Sequence, residues 1–129
     1  MRTKLNERYQ KAAREFSDRV VSTLGDDVDS IVLYGSVARG EAKEDSDIDI
    51  LVVSPDEHSV RERLSRIRND MDSESNYKFL ISLIIYSRDH FLWLRNNGSP
   101  FISAIIRDGM ILHDNGTFLG LSKGAARAG

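Results

Sequence analysis

The stretch GSVARGEAKEDSDID, residues 35–49, constrains this chain more than any other, because it joins two short apolar runs through turn-forming and charged residues. The first run, residues 29–34, is β-branched and ends at Gly35. The second, residues 48–53, stops at Ser54-Pro55, where proline cannot donate to a ladder. Both read as strands. Ten residues separate Gly35-Ser36 from Asp47, so a glycine corner and an Asp-Ile-Asp pair each abut their own strand.

The remaining periodicities place helices around those strands. Leu5, Tyr9, Ala12, Ala13, Phe16, Val20 and Leu24 recur at spacings of three and four, the stripe of an amphipathic helix that Gly25 ends. Val60, Leu64, Ile67 and Met71 predict a second helix over 56–72, with Arg61, Arg63, Arg66 and Arg68 on its solvated faces. The run KFLISLIIY, residues 78–86, is isoleucine-rich and reads as a buried strand. Helices at 88–97 and 100–108 and an edge strand at 109–113 follow. This order predicts an α/β (α+β) fold, a small mixed sheet covered by helices, in one domain over residues 1–114. Residues 115–129 are rich in Gly, Ala and Ser and are expected to form a flexible tail.

Charge narrows the chemistry. The chain carries a formal charge of -2, which argues against a general electrostatic grip on nucleic acid. The sign is uneven: residues 1–20 hold six basic and three acidic side chains, residues 26–57 ten acidic and two basic. Cysteine is absent, which removes disulfides, thiol catalysis and thiolate metal ligands. No apolar run approaches the roughly 20 residues that span a bilayer, and the first residues lack a signal-peptide core, so a cytoplasmic protein is expected. His58, His90 and His113 are too scattered for a metal site. Phe91, Leu92, Trp93 and Leu94 form an apolar knot read as core or partner surface.

The opening stretch then acquires a chemical reading. Side chains alternate along a strand, so Asp47 and Asp49 project from one face about 6.5–7 Å apart, while Ile48 and Ile50 point the other way. Two such carboxylates can converge on Mg²⁺, which takes one or two protein carboxylates together with water and substrate phosphates. At the corner, Gly35 lets the backbone approach a ligand, Ser36 adds a hydroxyl, and Arg39 one turn later offers a fork to phosphate oxygens. Local alternatives stand beside this: Asp-Ser-Asp as a simple turn, and Arg39 paired with Glu41 or Glu44.

The residues GSVARGEAKEDSDIDILV resemble the signature of the nucleotidyltransferase superfamily related to DNA polymerase β, in particular its minimal nucleotidyltransferases (MNT). The matching positions are Gly35, Ser36, Ala38, Arg39, Gly40, Ser46, Asp47 and Asp49. The resemblance implies a nucleotidyltransferase fold, ATP or another NTP as substrate, and Mg²⁺ or Mn²⁺ on the catalytic Asp47 and Asp49. Gly35, Ser36, Arg39 and Ser46 would then hold the nucleotide. The superfamily's third carboxylate falls at Ser82, a departure for which Asp70, Asp72, Glu74 or a partner's carboxylate would have to compensate. By the same resemblance the chain is expected to be the antitoxin of a HEPN/MNT toxin–antitoxin pair, transferring AMP to a hydroxyl of its HEPN-type partner. The alternatives are a non-catalytic nucleotide-binding antitoxin and, from another class, a small-molecule transferase of the aminoglycoside type. A homo-oligomer is left open.

Overall fold

The computed structural model describes residues 4–127. Four strands form one sheet in the order β3-β2-β1-β4, with β1 Ser30–Tyr34, β2 Ile48–Ser54, β3 Ile81–Ser87 and β4 Met110–Asp114. β1 pairs antiparallel with β2 and with β4, and β2 pairs parallel with β3, so the sheet is mixed.

Alternation along the strands divides the interior into two cores. Ile31, Leu33, Ile48, Ile50 and Val52 face helices α1 (Lys4–Leu24) and α3 (Glu57–Glu74), meeting Tyr9, Ala13, Phe16, Val60 and Leu64. Val32, Leu51 and Val53 face the opposite side, where α4 (Arg88–Asn96), α5 (Pro100–Asp108) and α6 (Thr117–Arg127) supply Phe91, Ile102, Ile105 and Phe118. A single helical turn, α2 (Gly35–Ala38), follows β1.

The helices start where side-chain caps allow. Asp56 accepts the His58 and Ser59 amides, Ser87 that of His90, and Ser99 that of Ile102. The third strand begins three residues later than the apolar run predicts, after a turn in which Asn76 and Tyr77 adopt left-handed backbone with φ of 56° and 62°. The apolar knot is also split: Phe91 is buried, whereas Trp93 is 61% exposed.

The expected tail needs correction. Thr117–Arg127 is helical, and residues 128–129 lie outside the described residues. Composition misleads here because a few groups anchor the helix: Phe118 enters the second core, and the Asp114 carboxylate accepts the Phe118 and Leu119 amides at 3.0 and 3.2 Å. Beneath it, Asp29 accepts both Arg88 Nε and Nη2 at 2.7 Å and Asn115 Nδ2 at 2.8 Å.

Candidate functional site

The site gathers at the end of β1 and the start of β2. The register sets Tyr34 opposite Asp49, and Asp49 in turn opposite Ser82, giving one row across three strands on the face that carries Val32 and Leu51. Gly35 follows with φ of 78°. A Cβ there would strike Asp49 Oδ2, with Cγ only 3.2 Å away, so the absent side chain is what lets the corner lie against this carboxylate.

Asp47 is exposed and Asp49 half-buried. Burial pushes the Asp49 carboxyl up, the Asp47 charge adds to this, and Arg39 opposes it. A cation beside Asp49 would relieve both the burial and the neighbouring charge that oppose its ionisation. Among the described residues no group of three or more His, Asp or Glu could hold a metal unaided. One exposed and one half-buried carboxylate fit an ion that completes its shell with water and phosphate oxygens, as Mg²⁺ does. Burial, then the charges of Asp49 and Tyr86, push the Tyr34 hydroxyl up, so it stays a proton donor beside the pair.

The other residues singled out from the sequence fall nearby with local partners. Ser36 lies in α2. Arg39 caps that turn, with Nε 2.9 Å from Glu41 Oε1, which is the alternative pairing given above. Ser46 Oγ accepts the Lys43 amide at 2.8 Å, so this serine shapes the loop leading to Asp47. Asp72 receives the Ile81 amide at 3.2 Å, and burial first, with Asp47 adding to it, pushes its carboxyl up, so Asp72 lies within electrostatic reach of Asp47. His58 sits in the first turn of α3. His90 lies against Tyr86 in a tilted contact, ring centres 4.5 Å apart, and His113 on β4 pairs with Ile31 of β1. They do not converge.

Sequence reasoning passed over the residues that hold the corner. Buried Asn6 and Gln10 on α1 both donate to Val37 O, at 3.3 and 3.1 Å, and Asn6 Oδ1 accepts the Ala42 amide at 3.0 Å. Tyr9 donates to Glu44 O at 2.7 Å. The signal was present as two amides four residues apart inside an apolar stripe, an arrangement that requires buried partners.

A family model described as a nucleotidyltransferase domain matches residues 13–113. Two proteins of Methanocaldococcus jannaschii named as candidate protein adenylyltransferases are each 33% identical. One aligns over 75 residues, 58% of this chain and 76% of its own, and the other over 107, 81% and 71% respectively. Among solved structures, a toxin–antitoxin with AMP-PNP superposes with a TM-score of 0.59 at 16% identity, over 89% of this chain and 85% of that one. A tri-AMPylated Shewanella oneidensis HEPN toxin in complex with its MNT antitoxin gives 0.55 at 15%, over 93% and 85%. At such identities the structural likeness is one of fold.

Proposed function

The chain belongs to the nucleotidyltransferase domain family and is a nucleotidyltransferase; from that premise we propose that it transfers AMP from ATP to a hydroxyl of a partner protein, as the antitoxin of a HEPN/MNT pair. The observation that carries the reading is the packing of the Gly35 corner against the Asp49 carboxylate, which sets the α2 turn beside the Asp47 and Asp49 pair at the ends of β1 and β2.

In this reading the acceptor oxygen attacks the α-phosphorus of ATP, the bond to the bridging oxygen of the β-phosphate breaks, and pyrophosphate leaves as the acceptor proton passes to solvent. Asp47 and Asp49 would hold Mg²⁺, which would neutralise charge developing on the phosphates. Ser36 and the α2 turn orient the outer phosphates. Arg39 exchanges Glu41 for a phosphate oxygen, and Tyr34 remains a neutral donor beside Asp49. The names of the Methanocaldococcus relatives and the AMPylated toxin in the Shewanella complex support protein as acceptor.

One observation favours a second reading, in which the chain binds nucleotide and silences its partner by covering it. The residue opposite Asp49 is the neutral Ser82. Both readings meet in one assay, transfer of label from α-labelled ATP with Mg²⁺ to a co-purified partner. Labelling by wild type, absent with Asp47→Asn, supports the transferase; tight partner binding with no label in either protein leaves covering as the function.

A further inference from the structure

Helix α5 carries an aromatic ring that the second core does not need. Ile102 and Ile105 are its buried side chains, whereas Phe101, one residue before, is 38% exposed. The ring stands perpendicular to that of Tyr34, with centres 5.3 Å apart and planes at 89°, and Tyr34 is the residue opposite Asp49. Tyr77 and Trp93 are exposed aromatics too, but among the described residues neither makes a ring contact with the row of Tyr34, Asp49 and Ser82. One exposed ring therefore borders the site.

The rest of α5 follows the corner. Phe101, Ala104 and Asp108 recur at three and four residues along the helix, so they share one stripe, and α2 lies against α5. At the far end the Arg107 guanidinium holds the Asp108 carboxyl below the usual range, and Arg39 adds to this, which puts Asp108 within electrostatic reach of the arginine that caps α2. The sheet order then separates two sides of the row. Phe101 borders its β1 end through Tyr34, and Ser82, the position of the superfamily's third carboxylate, closes its β3 end. Phosphates gain nothing from an uncharged ring, whereas a nucleobase presents a flat face to it.

We propose that Phe101, backed by Tyr34, is the platform on which the base of the bound nucleoside triphosphate stacks, with the phosphates at the α2 turn and the Asp47 and Asp49 pair. The inference rests on the reading of a nucleotide at that corner, and it names the side chain that tells a nucleotide from inorganic triphosphate. Held against Tyr34, the ring is placed before the ligand arrives, so stacking on it costs little ordering. Every base has a π face, so the platform selects for the presence of a base more than for its identity. The β3 end of the row is left to the acceptor.

The test is calorimetric titration of ATP and of inorganic triphosphate, each with Mg²⁺, into wild type, Phe101→Leu and Phe101→Tyr. Leucine keeps an apolar contact with Tyr34 and removes the ring, tyrosine keeps the ring, and an unchanged melting temperature checks the fold of each. The proposal expects Phe101→Leu to bind ATP at least about tenfold more weakly with inorganic triphosphate unchanged, and Phe101→Tyr to bind ATP as wild type does. ATP affinity untouched by Phe101→Leu would overturn it, as would ATP and inorganic triphosphate weakened in parallel, which would make the ring a brace for the corner. Should wild type bind neither ligand, the nucleotide reading of the corner falls and the platform falls with it. Failure of the protein-acceptor reading is seen separately, as a partner that stays unlabelled while ATP binding keeps its dependence on the ring.

Discussion

Gly35 has the tightest steric tolerance in the site. A methyl group at this position meets the Asp49 carboxylate on a backbone of φ 78°, where an L side chain is strained in any case. Gly35→Ala is expected to lower kcat/KM for nucleotidyl transfer by about 100-fold, the usual cost of a displacement near 1 Å, while the protein still folds. Ser82 allows the opposite experiment. Ser82→Asp adds a carboxylate directly across from Asp49, which should raise the transfer rate at least about tenfold if general-base help is what the site lacks. The same variant should melt earlier without Mg²⁺ and recover when the ion is added; an unchanged rate would show that the serine costs nothing. That the corner and the Asp pair would lie side by side was legible because each abuts its own strand and the two strands are joined by a short loop. The supporting amides Asn6 and Gln10 were not, since nothing in a helical stripe reveals which carbonyl a buried amide will meet.

At the level of elements, α6 depends on carboxylates as much as on apolar contact. The Arg88 guanidinium, opposed by burial and helped by Asn115, holds Asp29 below the ordinary carboxylate range. Burial alone would raise Asp114, but hydrogen bonds from Ser30, Phe118, Leu119 and Gly116 together hold it low. Both folded pKa values lie below their unfolded ones, so the stability they contribute is present above about pH 4 and is lost as the pH falls through the lowered values. Arg88→Ala removes two hydrogen bonds from a carboxylate that is 1% exposed. Because Arg88 itself is half-exposed and water can replace it, the cost should sit at the lower end of about 1–3 kcal/mol. A melt at neutral pH measures it, and the gap from wild type should narrow in acid. The tail was misread because composition weighs every residue equally, whereas Phe118 and the Asp114 cap decide the outcome. The start of β3 was misread because an apolar run marks burial and does not mark where ladder pairing begins.

For the molecule as a whole, the two-core arrangement was foreshadowed wherever alternation was strict, as in Ile48, Ile50 and Val52 against Leu51 and Val53. Strand order could not be read this way, because periodicity assigns residues to faces and leaves neighbours unspecified. That order has a temporal consequence. β1 and β2 carry ladder partners on both sides, whereas β3 and β4 are edges, so amide hydrogens in the central pair should exchange with solvent slowest and those of the 36–46 loop much faster. Deuterium uptake read residue by residue should place Asp49 and Ser46 on widely separated clocks. The 36–46 loop can then open and reclose many times for each opening of the strand that carries Asp49, so in the proposed reading nucleotide would exchange without dismantling the rest of the site.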